Sequence, residues 1–552
     1  MRVGKERVGL LFSGRKEGSR DDMATHPWHR TTGGTALGCL DVRRGLKTWQ
    51  RFLLAISLLG LVGLAPACGG GGKVVLHEND FRDRVYACWL GKNIGGTLGM
   101  PFEGKQEPNS ATFYTRLKPG EPAPNDDLDL QILWLKAMEE HGGRVDARIL
   151  GEYWLKYVPV DWNEYGVGKA NMKLGLLPPL SGQYNNEKWR PSNGAWIRSE
   201  IWACLAPGYP ALAAQMARED ACVDHGAAEG TLAEIFTASL ESAAFVESDR
   251  DKLIAFALSM IPENCAVAKA VRTAVEAKRA GKDWQAARLE VIRATEDTGW
   301  FQAPRNVAFT MIGWLYGDGD FGKSICTAVN CGDDTDCTGA TLGSILGIIG
   351  GTKAIPAKWR EPIGERIVTV AVAGFPVPKD LNELTDRTLA MTKKVLALNN
   401  APIAITGGFS HKRGGKVLLD SAPAAVRPLW NKSPYQIVWN EPDLQVTLDY
   451  LSDPVIQPKI QRALQVTVRN PSDATTSVRL ELKDVPKGWQ VTGLPSEAIS
   501  LTAHAAKTVD VGLVASRVAA GANRLVLSVT GAAQPVVIPL TLMGPASSKP
   551  GK

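Results

Sequence analysis

Cysteine is scarce in this chain, nine in 552 residues, and no two form a C-x-x-C pair. That excludes a zinc ribbon or a redox dithiol of the usual spacing. Beyond Cys68 the count is odd: Cys88, Cys204, Cys222, Cys265, Cys326, Cys331 and Cys337. With apolar neighbours around them, buried thiols are expected rather than a disulfide framework. Cys326 and Cys331 could pair, though nothing around them asks for it. A charge of one sign is missing from most of the chain as well. The formal net charge of +6 arises within residues 1–51, which hold 11 Lys+Arg against 5 Asp+Glu, and the remainder balances at 52 of each. Bulk electrostatics therefore give no support to a nucleic-acid partner.

A membrane-length apolar run is not evident either. Phe52 to Ala65 is apolar over 14 residues, short of the roughly 20 that a spanning helix needs. Flanked by Arg43, Arg44, Lys47 and Arg51, it fits the apolar core of an export signal. Ala65-Pro66-Ala67 suits ordinary cleavage. Ala67-Cys68 followed by Gly69 to Gly72 suits a bacterial lipoprotein signal, with Cys68 lipidated and the glycines as a tether. The lipoprotein is favoured over plain secretion and over a buried helix. Export is thus expected, with membrane contact only through Cys68. Residues 1 to about 40 are too long and irregular for a signal's basic flank, so Met23 or a later residue is the expected start.

Two textures follow. From Asp80 to about Val395 apolar residues recur every three to four positions, which predicts helices. They are expected over 139–158, 209–221, 228–246, 249–260, 266–280 and 284–294, punctuated by Pro178-Pro179 and Ala206-Pro207-Gly208. After about Asn400 the runs become short, β-branched and alternating, at 459–468, 477–482, 489–492, 508–514, 524–529 and 536–542. That spacing predicts an immunoglobulin-like β-sandwich. No acid cluster or aromatic platform stands out in it, so spacer and sugar-binding roles are equally open. The expected fold is multidomain: an extension, signal and tether at 1–72, an all-α domain at 73–395, a joining segment with some strand content at 396–440, and the sandwich with a short polar tail at 441–552.

The chemistry concentrates in two acidic stretches, each just before an apolar helical run. Asn125-Asp126-Asp127-Leu128-Asp129 leads into a run in which Leu128, Ile132, Leu135 and Met138 share one helix face. Asp333-Asp334-Thr335-Asp336-Cys337 leads into a run where Gly339, Gly343 and Gly347 recur every fourth residue. Each glycine costs about 1 kcal/mol against alanine in a helix interior, so close approach of a second helix is expected there. Capping explains part of this pattern, because asparagine and aspartate suit helix N-termini. It does not explain three crowded carboxylates, whose repulsion a hard divalent cation would relieve. The two helix mouths, brought together, could hold one or two Mg²⁺ ions.

A third element, Gly91-Lys92-Asn93-Ile94-Gly95-Gly96 running to Glu103, lies upstream. In this order the three motifs resemble those of the ADP-ribosylglycohydrolase family, over roughly residues 80–395. The resemblance implies an all-α fold, two metal ions (Mg²⁺, with Mn²⁺ as the alternative) and a sugar lying over them. Carried over by position, the metal ligands are Asn125, Asp126, Asp127, Asp334, Asp336 and Cys337, and the catalytic carboxyls Glu103, Asp126 and Asp127. The family pattern has threonine where Asn125, Leu128 and Cys337 stand, and an aspartate where Gly96 stands. The Arg190–Arg198 segment resembles the family's Asn-Gly segment near the metals. The implied activity is hydrolysis of an N- or O-glycosidic bond in an ADP-ribosyl or related ribofuranosyl substrate. Export favours two alternatives: the same chemistry on an extracellular glycan, or a non-catalytic sugar- or nucleotide-binding lipoprotein. His225, beside Asp224, reads more simply as a dipole partner at a helix end than as a catalyst. Trp300, Phe301, Trp314 and Tyr316 read as core before they read as a stacking wall.

Overall fold

The computed structural model describes residues 73–296, 299–408, 415–531 and 533–545. The expected export signal, Cys68 and the glycine tether lie outside them. No helix among the described residues is long and apolar enough to cross a membrane.

The helical region opens with strand β1 (Val74–His77) and helix α1 (Glu78–Gly99). It continues through α2 (Asp126–Glu140), α3 (Ala147–Tyr157), α4 (Asn163–Lys173), α5 (Leu180–Gln183), α6 (Glu200–Leu205), α7 (Pro210–His225) and α8 (Glu229–Ala244). Next come α9 (Arg250–Ser259), α10 (Ala266–Arg279), α11 (Trp284–Ala294), α12 (Ala303–Tyr316) and α13 (Phe321–Asn330). The region closes with α14 (Thr335–Gly350), α15 (Ala357–Ile363) and α16 (Leu381–Leu398). Asp249, Asp283, Asp320 and Asp380 each cap the helix that follows them with a side-chain oxygen.

The central pair is α1 against α14, and glycine permits it. A β-carbon on Gly339 would lie 2.7 Å from the Gly95 carbonyl oxygen. One on Gly343 would overlap the Gly91 carbonyl, and one on Gly347 that of Ala87. The three glycines therefore touch backbone, as their spacing predicts. Because α14 is wedged so tightly, its N-terminus is fixed beside the C-terminal end of α1, where a β-carbon on Gly99 would overlap the Thr335 carbonyl. That contact sets the second acidic motif beside Glu103.

Two helical expectations change. The span expected as one helix over 139–158 is broken at Gly142 and Gly143, whose φ values are 67° and 87°. Only glycine takes such angles freely. Helix α2 is not one-faced: Asp127, Asp129 and Gln131 are buried together with its leucines. Its polar side is lined by internal partners instead of water.

Residues 396–440 carry more than a link. Strand β2 (Ile403–Thr406) pairs in parallel with β1, Val74 opposite Ile403. Helix α17 (Gly415–Trp430) contains Pro423 and Pro428, which hide it from a reading of periodicity. Its Ala422 and Val426 are buried in the helical core, and the Trp430 indole donates to the Met260 carbonyl at 3.0 Å.

Strands β3 (Gln436–Glu441), β4 (Leu444–Asp449), β5 (Arg462–Arg469), β6 (Thr476–Lys483), β7 (Trp489–Thr492), β8 (Ile499–Leu501), β9 (Ala506–Ala515), β10 (Gly521–Thr530) and β11 (Val536–Gly544) follow. They form two antiparallel sheets, ordered β3-β4-β5-β9-β7 and β11-β10-β6-β8. Their alternate residues fill one sandwich core. That core does not close on itself. Leu176 and Leu180, from the segment after α4, are fully buried within it. Arg524 donates to the Lys173 carbonyl at 3.0 Å, and the Arg148 guanidinium lies 4.5 Å above the Trp439 ring.

Candidate metal centre

At the mouth of α2, Asn125 performs the capping. Its Oδ1 accepts from the Asp127 amide at 2.8 Å, which fixes the orientation of its side chain. Its Nδ2 then lies 3.4 Å from Asp336 Oδ2 and fills the space above Gly96. The aspartates of that turn are thereby released from capping. At the mouth of α14, Asp334 is the N-cap residue, yet its side chain makes no capping bond. Capping accounts for Asn125 and for none of the carboxylates around it.

Asp126, Asp127, Asp334 and Asp336 converge, and Glu103 joins them from the solvent side. Oxygens of Glu103, Asp334 and Asp336 lie within 4.8 Å of one another, as do ligand atoms of Asp127, Asp336 and Cys337. Neighbours orient each carboxylate. Tyr165 donates to Asp126 Oδ2 at 2.8 Å. Asn193 Nδ2 donates to Asp334 Oδ2 at 2.6 Å, so the Asn-Gly segment does reach the centre. Asn306 accepts from the Asp334 amide at 3.1 Å and donates to the Trp300 carbonyl at 2.7 Å. The Cys337 thiol donates to Asp127 Oδ1 at 3.5 Å.

Two motif acids point elsewhere. Asp129 Oδ2 accepts from the Val370 and Ala371 amides, both at 2.6 Å, and ties down that loop. Asp333, at φ 62°, ion-pairs with Arg305 at 3.4 Å. Its backbone bonds to Gly104 and Lys105, both at 2.9 Å, and so holds the loop that carries Glu103.

The electrostatics are those of an anion cluster short of positive charge. Burial, then repulsion from neighbours, pushes the Asp127 and Asp334 carboxyls well above the usual range. Asp126 and Asp336 are raised too, burial being the main cause. Glu103 is pushed up to about 7, chiefly by Asp336 and then by burial. Lys92 is the nearest cation, 3.6 Å from Asp127 Oδ2, but its closer partner is Glu200 at 2.6 Å. Asp127 Oδ2 and Asp336 Oδ1 are buried without a hydrogen-bond partner. A native interior rarely leaves such atoms unmatched. Clustered, unmatched carboxylate oxygens are the donor set of a divalent cation, so these residues fit one.

Some contributors were invisible in the sequence. Lys92 offered a signal, being a charge amid the glycines in the largely apolar second half of α1. Tyr165, Asn306 and Arg305 gave none, since only the fold brings them here. Trp314 and Tyr316 are buried core residues, as their spacing suggests. Trp300 is half-buried, with its ring 3.9 Å from where a β-carbon on Gly104 would sit, beside Glu103. His225 closes α7 inside the protein, with Nδ1 2.8 Å from Asp224 Oδ1 and Nε2 3.3 Å from Ser192 Oγ.

Fold and site together define a helical protein built around a carboxylate centre at the mouths of two buried helices. Residues 77–396 match the model of the ADP-ribosylglycohydrolase family, and the chain belongs to that family. No curated protein matches the chain. Among solved structures, a chain described as an ADP-ribosylglycohydrolase-related protein complex is 22% identical, with a TM-score of 0.39, over 57% of this chain and 99% of its own.

Proposed function

We propose that this protein is a metal-dependent glycoside hydrolase acting on an ADP-ribosyl or related ribofuranosyl bond. The observation that carries the reading is the convergence of the two motifs, with ligand oxygens of Asp334 and Asp336 within 4.8 Å of Glu103 and those of Asp336 and Asp127 within the same reach of Cys337. Asp126, Asp127, Asp334, Asp336 and Cys337 would hold Mg²⁺ or Mn²⁺, whereas Asn125, expected among the ligands, spends its oxygen on the Asp127 amide and turns its N–H toward Asp336. A divalent ion there supplies Lewis acidity and orients a sugar's vicinal hydroxyls.

The chain's own groups divide the proton work. Asp126 is half-buried and has one oxygen bound to Tyr165, which leaves the other for a water proton. Asp127 is a poorer base, with Oδ1 tied to Cys337 and Oδ2 facing Lys92. Glu103 stands on the solvent side of the cluster, outside the buried carboxylates, where it would give a proton to a departing oxygen or nitrogen. An acid and a base on either side of an oxocarbenium-like centre are what glycosidic hydrolysis requires. Trp300 flanks Glu103 and offers a face to a sugar or base.

The test is release of ADP-ribose from N- and O-linked ADP-ribosyl peptides, with and without Mg²⁺ or Mn²⁺, alongside Asp126→Ala and Asp334→Ala. Metal-dependent turnover lost in both variants is the expected result. Turnover of furanoside glycans instead would move the reading to an extracellular glycan. The expected export and the presence of the sandwich are what favour that alternative. Metal and ligand binding without turnover would make the protein a sugar- or nucleotide-binding one. Lipidation at Cys68 is proposed with either reading, and mass spectrometry of the membrane fraction checks it.

A further inference from the structure

The centre is uneven in its donor chemistry. On the side of Glu103, Asp334 and Asp336 every candidate ligand atom is an oxygen. On the other side the set is Asp127, Asp336 and Cys337, two carboxylates and one sulfur, with all three residues buried. Cys337 stands in the first turn of α14, which the glycine contacts with α1 clamp in place. Its sulfur is therefore held where it is and does not swing in from a loop. The Sγ–H bond reaches Asp127 Oδ1 at 3.5 Å, while Asp127 Oδ2 and Asp336 Oδ1 have no hydrogen-bond partner. Asn125 adds to the asymmetry, because it turns an amide N–H toward Asp336 where a hydroxyl could have presented a lone pair.

Sulfur and oxygen donors select different ions. Mg²⁺ keeps to oxygen and gives up water reluctantly, whereas borderline ions such as Zn²⁺ and Co²⁺ accept thiolate readily. We infer that the Asp127–Asp336–Cys337 position takes a borderline transition-metal ion through the Cys337 sulfur, in preference to Mg²⁺. Binding breaks the S–H bond, releases that proton to solvent and forms a metal–sulfur bond, with no change of oxidation state. The inference rests on the metal-centre reading above but narrows it to one position and one ligand. Lys92 is the cation facing this position, and Glu200 at 2.6 Å matches its charge.

The experiment is a Co²⁺ titration of metal-free full-length protein, followed by near-ultraviolet absorption and by calorimetry. The sulfur-to-cobalt charge-transfer band should rise with binding in the parent and be absent in Cys337→Thr. The other cysteines of the chain remain in that variant, so a band of undiminished strength would come from them and overturn the inference. Cys337→Thr should still bind Mg²⁺ and should lose about tenfold or more in Zn²⁺ affinity. Cys337→Ser, the smallest change, guards against misfolding; equal thermal unfolding of metal-free parent and variant shows the fold intact. Calorimetric Co²⁺ binding without the band, or an unchanged Zn²⁺-to-Mg²⁺ preference in both variants, overturns the inference and leaves the metal centre standing. Failure of the parent to bind any of the three ions overturns both.

Discussion

Asn125 and Gly96 occupy one another's space: a β-carbon on residue 96 would lie 2.5 Å from the Asn125 Nδ2. A side chain at position 96 and the capping amide of Asn125 therefore exclude each other, so lengthening one residue calls for the exchange of the other.

That exchange makes a double-mutant cycle informative. Gly96→Asp alone should destabilise the protein by about 1–3 kcal/mol through overpacking. Adding Asn125→Thr should recover part of the loss, with a coupling of about 0.5–3 kcal/mol. Chemical denaturation of the four proteins measures it, and additive effects would show the two positions to be independent.

The α1–α14 contact predicts an unusual response to alanine. In an ordinary helix interior Gly343→Ala would stabilise by about 1 kcal/mol. Here the added methyl overlaps the Gly91 carbonyl, so a net loss of about 1–3 kcal/mol is expected. A raised midpoint in urea would contradict the close packing.

Glu164 is pushed up to about 7 and Asp333 to about 6, both mainly by burial. Asp129, also chiefly by burial, and Glu103, chiefly by Asp336, each reach about 7. Between the unfolded carboxyl values near 4 and these folded values, the native state binds more protons than the unfolded one. Stability of the metal-free protein must then fall as pH rises through that window. Thermal unfolding should be lower at pH 7.5 than at pH 5.5. A midpoint that is flat or rising across that range would show these carboxyls to be ionised at little cost.

The sandwich prediction concerns Leu180. Truncation to alanine in a packed core costs about 2–5 kcal/mol. Because Leu180 belongs to the helical region yet is buried in the sandwich core, the loss should appear in one cooperative calorimetric transition spanning both. Two separated transitions, with only one shifted, would show the sandwich folding by itself.

Much of this was legible beforehand, for physical reasons. Glycines four apart in an apolar helix admit few explanations besides close approach, and Gly339, Gly343 and Gly347 each meet backbone. Asn125 announced its helix, and six of the nine sandwich strands announced themselves by alternation, while β3, β4 and β8 did not. What escaped depended on partners remote in sequence. The burial of the polar side of α2 gave no signal, because Lys92, which faces Asp127, and the 370–371 loop, which holds Asp129, come from other parts of the chain. Asp333 stands within the second acidic stretch, and nothing in the sequence shows that Arg305 pairs with it. Helix α17 was masked by its own prolines.

Leu176 and Leu180 carry one more implication. A domain joined by a linker searches a volume, and its effective concentration at a neighbouring site depends on linker length. One whose core is completed by its neighbour's residues behaves as a gauge. Tyr165, which orients Asp126, stands on α4, and the chain leaving that helix enters the sandwich within a few residues. Whatever surface the sandwich rests against, it meets at a set distance from the acidic centre. The spacing between the two is then fixed by packing and not by the length of a linker.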